Sequence, residues 1–244
     1  MDDASESDHV EVIEKTRAAC PVILTCEHAS QRMPPPFEWA DQDAWLVGTH
    51  WAYDLGAAEL TRELAAELGA GAVLSRFSRL LIDPNRSESA PDLFRKLAEG
   101  RPVALNQDVG EEERARRFAM SHAYHAAIDR ALVNDPAALI LSIHSFTPVY
   151  EGTPRAVELG VLFDDETELA TALHAAFVDA GVAALLNEPY SGKFGLMYSV
   201  DRHARRHSRR ALELELRQDL ATEPTSRARI IMVLAATLER LLAP

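Results

Sequence analysis

Apolar runs alternate with amphipathic stretches along most of this chain, and several of the runs end in reactive side chains. Val22 to Cys26 reads as a buried strand that stops at Glu27 and His28. Between Tyr53 and Leu68 the apolar positions Tyr53, Ala57, Leu60, Leu64 and Leu68 recur at spacings of three and four, the stripe of a helix packed on a sheet. Ala72 to Leu74 and Leu80 to Ile82 follow as apolar runs, the second leading into Asp83, Asn85 and Arg86. A long helix is predicted from Glu111 to Leu132, and Ala138 to Ser145 forms another strand, ending at His144. Ala156 to Phe163 reads as a strand, Glu166 to Ala180 as a helix and Ala183 to Leu186 as a further strand. Ala211 to Arg217 alternates with period two, which puts Glu213, Glu215 and Arg217 on one face, and a last helix spans Ser226 to Leu242. The succession of strands and helices predicts a three-layer α/β/α fold with a mainly parallel central sheet.

Composition narrows this picture. With 244 residues and 47% hydrophobic content the chain can bury a large core, and no linker or repeat divides it. The expectation is one catalytic domain over residues 15–244, after a flexible acidic start from Met1 to Glu14. That start lacks the basic and apolar segments of an export signal, and no later run approaches the roughly 18 to 20 apolar residues of a membrane span. A net charge of −13 argues against nucleic-acid binding, and the local cluster Arg202 to Arg210 reads as a solvated helix face. Cys20 and Cys26 form neither a disulfide framework nor a thiolate cage, which fits a reducing cytoplasm, and Cys26 has no Cys-His signature around it.

In open α/β sheets ligands gather beyond the carboxyl ends of the strands, so the polar run-ends are expected to make one site. Two histidines from different strands with a nearby carboxylate are the three protein ligands of a catalytic zinc, and a further carboxylate could serve as base. His50 and Asp54 stand at the entrance to the first helix, where they either share a face or Asp54 caps the helix. Asp83-Pro84 is a good turn starter, while the Arg86 guanidinium is shaped to grip a carboxylate. His122 and His125 resemble two ligands on one helix face but lack a convergent acid, so a helix–sheet contact is expected of them. Asn187 to Gly192, which carries Tyr190, is a turn-rich loop of the kind that covers a site.

Six blocks, Thr25-Cys-Glu-His-Ala-Ser30, His50-Trp-Ala-Tyr-Asp54, Ser78-Arg-Leu-Leu-Ile-Asp-Pro-Asn-Arg86, Ser142-Ile-His-Ser145, Asn187-Glu-Pro-Tyr-Ser-Gly192 and Glu213-Leu-Glu-Leu-Arg-Gln-Asp219, occur in this order. Their ordered set resembles the N-formylglutamate amidohydrolase family across most of the chain. That family is similar in fold to zinc-dependent exopeptidases of the phosphorylase/hydrolase-like class and to zinc N-acetylmuramoyl-L-alanine amidases. The resemblance implies zinc on His28, Asp54 and His144, with Glu215 as general base and Glu213 as the alternative on the same strand face. It departs from the zinc carboxypeptidases three residues after the first histidine, where Gln31 is a poor ligand. Asp54 therefore takes the acidic position in preference to Glu27, which alternates away from His28 in a regular strand. Asn85 and Arg86 resemble the pair with which carboxypeptidases hold a terminal carboxylate, and Arg79 or Arg217 would neutralise a second carboxylate or the developing oxyanion. The implied partner is a small carboxylated N-acyl amino acid. The rivals are a zinc peptidase or cell-wall amidase on the same scaffold, disfavoured by the lack of an export signal, and a non-catalytic metabolite-binding relative.

Overall fold

Strands that are apolar on both faces belong in the middle of a sheet, and Val22–Cys26 and Leu139–Phe146 are buried at every position. In the computed structural model, which describes residues 8–133, 135, 139–150 and 152–243, they are neighbours at the centre of a seven-stranded mixed sheet. Its strands are β1 (Val10–Ile13), β2 (Val22–Cys26), β3 (Gly71–Ser75), β4 (Leu139–Phe146), β5 (Leu159–Leu162), β6 (Ala184–Leu186) and β7 (Arg210–Arg217). Their spatial order is β1-β3-β2-β4-β7-β5-β6. β3, β2, β4 and β7 run parallel, β1 is antiparallel to β3, and β5 is antiparallel to β7 while parallel to β6.

Helices cover both faces, as the alternating pattern predicts. α1 (Ala57–Leu68), α3 (Thr167–Asp179) and α6 (Pro224–Leu241) pack on one side, where Leu24, Leu141, Ile143, Leu212 and Leu214 point. α2 (Glu111–Val133) and α4 (Tyr198–His207) cover the other, over Ile23, Val73, Ile140 and Ala211, and the short α5 (Gln218–Thr222) leads into α6. On this second face the period-two alternation continues from apolar to polar: Ile140 is followed by Ser142 and His144, and Ala211 by Glu213 and Glu215. Register places Glu213 opposite Ser142 and Glu215 opposite His144. A strip of buried polar groups thus lies at the carboxyl ends of the parallel strands. Among the described residues no helix is long and apolar enough to cross a membrane.

Three expectations are corrected. Val10–Ile13, inside the stretch expected to be flexible, is an edge strand paired with β3, whereas residues 1–7 of that stretch, like Ala138, lie outside the described residues. The cluster Arg202 to Arg210, read as a solvated helix face, is divided: it lies on a helix, Tyr198–His207, that buries His203, and Arg210 already opens β7. Leu80 to Ile82 is buried but not a strand. Leu81 N donates to Ser78 O at 2.9 Å, and Asp83 N to Leu93 O at 3.2 Å, so the apolar run turns within the loop of residues 76–110.

Side chains satisfy much of that loop's backbone. Asp43 accepts from the amides of Ala104 and Leu105, each at 2.8 Å. Asn106 Nδ2 donates to Leu80 O and Arg95 O, each at 2.9 Å. The fully buried Arg117 of α2 donates to Leu81 O at 3.0 Å, Leu105 O at 2.9 Å and Asn106 Oδ1 at 2.5 Å, and pairs with Glu113. A buried polar loop is tolerated only when its groups are hydrogen-bonded, and Arg117 is the hub of that bonding. Replacing it with methionine keeps volume but strands three acceptors, so R117M is expected to lower the unfolding free energy by about 2–4 kcal/mol in urea titrations. A loss below about 1 kcal/mol would mean that the loop is anchored elsewhere.

Candidate metal centre and active site

The chain leaves β2 at Cys26, and a turn places Glu27 and His28 at the strand's end, both buried. Ser75 Oγ donates to Glu27 O at 2.6 Å, and Asp54 N donates to His28 O at 2.9 Å, tying the segment before α1 to this turn. Asp54 is not the cap of α1. The N-cap is Gly56, at φ 79°, where a Cβ would lie 2.5 Å from the Ala221 backbone carbonyl. Both the left-handed backbone and the close approach require glycine. The Asp54 carboxylate is left to face the sheet.

There it meets two imidazoles. Asp54 Oδ2 lies 2.9 Å from His144 Nδ1 and 3.3 Å from His28 Nδ1, and one ligand atom from each of the three residues lies within 4.8 Å of the others. Behind each ring stands another carboxylate: Asp83 Oδ1 is 2.8 Å from His28 Nε2, and Glu27 Oε2 is 3.1 Å from His144 Nε2. Asp83 in turn accepts from Arg79 at 2.8 Å, and Glu27 from Tyr124 Oη at 2.9 Å and Ser142 Oγ at 2.5 Å. A carboxylate behind an imidazole holds the proton on the nitrogen facing it and orients the ring, leaving the other nitrogen to bind a metal. The donor set fits one divalent ion held by two Nδ1 atoms and one carboxylate oxygen.

The same pocket divides its carboxyl groups into two kinds. Burial pushes Glu27, Asp54 and Asp83 upward, but His144 at Glu27, His28 and His144 at Asp54, and Arg79 with His28 at Asp83 outweigh it, so all three stay below the usual carboxylate range. Burial dominates at Glu213, pushed up to about 7, and at Glu215, pushed well above its ordinary value despite nearby His144. Each has an Oε2 that is buried without a hydrogen-bond partner, and Glu213 Oε2 approaches His144 Nε2 at 3.5 Å. Paired titratable groups whose surroundings drive their proton affinities apart mark acid–base chemistry.

His28, Asp54, His144, Glu213 and Glu215 line a cavity of about 220 Å³ whose walls include Arg79, Arg86, Arg95, Asn85 and Tyr190. The size suits a metabolite, and three guanidinium groups suit an anion. The profile of the family described as N-formylglutamate amidohydrolase matches residues 20–222. The chain belongs to that family. A gene product of Agrobacterium tumefaciens, solved by crystallography, is 31% identical over 98% of this chain and 97% of its own, with a TM-score of 0.87. The N-formylglutamate amidohydrolase from Ralstonia eutropha JMP134 shares the fold at 19% identity, covering 96% of this chain and 98% of its own, with a TM-score of 0.65. Comparison with curated proteins returns no match.

Within this amidohydrolase family member the expected site residues fall into two groups. His28, Asp54, His144, Glu215, Arg79, Asn85, Arg86 and Tyr190 all line the cavity, together with Glu213. Arg217 is absent from the lining: it binds Asp219 at 2.8 Å and the carbonyls of Arg155, Ala156 and Val157 at 3.2–3.5 Å, bracing the segment before β5. Its place on the Glu213–Glu215 face was read correctly, but the side chain leaves the sheet's end for nearer carbonyls. Asn85 also has structural work, since its amide donates to Leu196 O at 3.2 Å and accepts from Ser199 N at 2.9 Å. Arg79 reaches Asp83 and, at 3.5 Å, Asp54, so its charge lies beside the carboxylate of the candidate metal centre.

Sequence reasoning missed Arg95, and it read Asp83 only as a turn former. Glu27, set aside as a ligand, sits behind His144. The cue for these was their clustering in the Glu27-His28 and Asp83-to-Arg95 segments, but their partners are distant in sequence. Gly160 was also missed. It lies opposite Glu215 in the β7–β5 register, and a Cβ there would meet Glu188 O at 2.1 Å, so its hydrogen lets the Tyr190 loop settle on the sheet.

His122 is exposed and pairs with Glu88, while His125 is buried against His203, so the two do not form a joint site. Cys20 and Cys26 are free and buried, and burial pushes the Cys26 thiol far up, which removes it as a nucleophile. Neither thiol is expected to react with an aromatic disulfide reagent in the native protein, and both should react after denaturation. Rapid native labelling of Cys26 would contradict this burial.

Proposed function

We propose that this chain hydrolyses the amide bond of a small carboxylated N-acyl amino acid, with an N-formyl amino acid such as N-formylglutamate as the leading candidate, and that it uses one zinc ion. What carries the reading is the convergence of His28 Nδ1, His144 Nδ1 and Asp54 below an arginine-lined cavity, with Glu213 and Glu215 alongside. His28, Asp54 and His144 would hold the zinc, which when bound supplies a Lewis acid for the acyl oxygen and lowers the pKa of a coordinated water toward about 7.

The chain's own groups account for the rest. Glu215, buried with one oxygen unpartnered, is suited to take a proton from the attacking water and to pass it to the departing nitrogen. The new carbon–oxygen bond and the broken carbon–nitrogen bond yield a carboxylic acid, formic acid for a formyl substrate, and a free amino acid. Glu213 shares the strand face and is the alternative base. Arg86 is suited to grip the α-carboxylate, with Asn85 setting the loop that carries it. Arg95 replaces Arg217 as the candidate for a second carboxylate, and Arg79, beside Asp54, would stabilise charge developing on the acyl oxygen. The two unpaired cysteines favour a reducing compartment, the cytoplasm.

Removing metal with a chelator is expected to abolish turnover, and zinc to restore it, with one equivalent of metal lost when His28 or His144 is replaced by alanine. E215Q should retain that metal while kcat falls by roughly 10²- to 10⁴-fold. R86A should raise KM for an N-formyl amino acid and leave a formamide without a carboxylate unaffected. Undiminished turnover in E215Q, or activity indifferent to chelation, would refute the mechanism.

A further inference from the structure

A second group of metal-binding side chains lies on the helices that cover the polar face of the sheet, outside the cavity described above. α2 supplies Asp129, and α4 supplies His203 and His207, four residues apart and therefore on one side of the helix. His203 Nδ1 and His207 Nε2 approach the same oxygen, Asp129 Oδ1, at 2.9 and 2.8 Å. One ligand atom from each residue lies within 4.8 Å of the others. His203 is fully buried, whereas Asp129 and His207 are partly exposed, so the cluster has a rigid base and an opening to solvent.

We propose that Asp129, His203 and His207 form a second binding site for a divalent transition metal of the zinc class. Ligand atoms about 2.0–2.1 Å from a tetrahedral ion stand about 3.3 Å from one another. The hydrogen-bonded distances therefore need to widen by only about half an ångström, a change within the reach of the partly exposed His207 and Asp129. Water supplies the fourth position on the open side.

The surroundings of His203 support a metal ligand. Its other nitrogen, Nε2, faces His125 Nδ1 at 2.9 Å. His125 is itself buried, so the two rings hold each other in place away from solvent. A metal at His203 Nδ1 would take the place of the proton that Asp129 holds there, and His125 Nδ1 is within reach to accept from His203 Nε2 in the tautomer a metal requires. The other occupant of the place is a proton shared within a hydrogen-bonded cluster, in which Arg206 Nη1 pairs with Asp129 Oδ2 at 2.9 Å. Arg206 is 60% exposed and can swing into solvent.

A metal here would clamp the last turn of α4 to α2. The first turn of α4 holds Asn85 through the Ser199 amide, so the clamp would steady the helix on which the Asn85–Arg86 loop rests.

The test is metal stoichiometry. Wild type, H207A and D129N are stripped with a chelator and dialysed to equilibrium against Zn²⁺, with bound metal measured by elemental analysis and folding checked by circular dichroism. The expected result is that H207A and D129N each bind one equivalent fewer than wild type while melting cooperatively. R206A removes the competing cation and should tighten this second equivalent by up to about fivefold, since an exposed ion pair is worth at most about 1 kcal/mol. Titration with Co²⁺ should give a visible band in H144A that disappears in H144A/H207A. Equal equivalents in wild type, H207A and D129N would overturn the proposal and leave a hydrogen-bonded ion cluster only. The difference between wild type and H207A is read independently of whether His28, Asp54 and His144 bind metal, so the two assignments fail separately.

Discussion

One carboxylate shared by two imidazoles, each braced from behind by another carboxylate, is the constraint to which the rest of this structure answers. Asp54 can meet His28 and His144 only if the turn after β2, the carboxyl end of β4 and the segment before α1 arrive together. Each bracing acid draws in a further element. Asp83 brings the long loop with Arg79, and Glu27 brings Tyr124 from α2 and Ser142 from β4. The relay of partners fixes the rings before any substrate or ion arrives, which is the condition for a site that works without reorganising.

The fold tolerates this concentration of buried polar groups because the sheet separates two tasks. On the α1, α3 and α6 face the strands present continuous apolar rows, which supply a core that needs no polar compromise. On the α2 and α4 face the parallel strands β2, β3, β4 and β7 begin apolar and end polar, so the site occupies only the carboxyl end of a layer otherwise packed with aliphatic and aromatic groups. The loop of residues 76–110 extends the polar end outward. Many of its groups are satisfied by Asp43, Asn106 and Arg117 rather than by the strands of the central sheet.

Much of this was legible in sequence because strand ends and periodicities are local. Apolar runs ending in His28 and His144, and alternation placing Glu213 and Glu215 together, depend on neighbours a few residues away. What was not legible depends on distant partners. Leu80 to Ile82 has the composition of a strand, but Arg117 and Asn106 take its carbonyls and bend it. Asp54 has the local signature of a helix cap, yet Gly56 holds that position because Ala221 leaves no room for a side chain. Arg217 lies on the right face of its strand and is diverted by carbonyls some sixty residues earlier. The helix face at Arg202 to Arg210 was legible, but the packing of Tyr198–His207 on β7 and β4, which buries His203, is hidden in so short and charged a stretch.

Glu213 and Glu215 stand within a strand, buried, each with an oxygen that no hydrogen bond satisfies. Leaving such groups unsatisfied works against the folded state by about 1–3 kcal/mol each, and leucine would suit the same positions better. Selection for stability alone would erase them within this strand. Their presence is therefore a record of a second selective pressure, and a descendant freed from that pressure would be recognisable by apolar residues at 213 and 215 while its fold grew firmer.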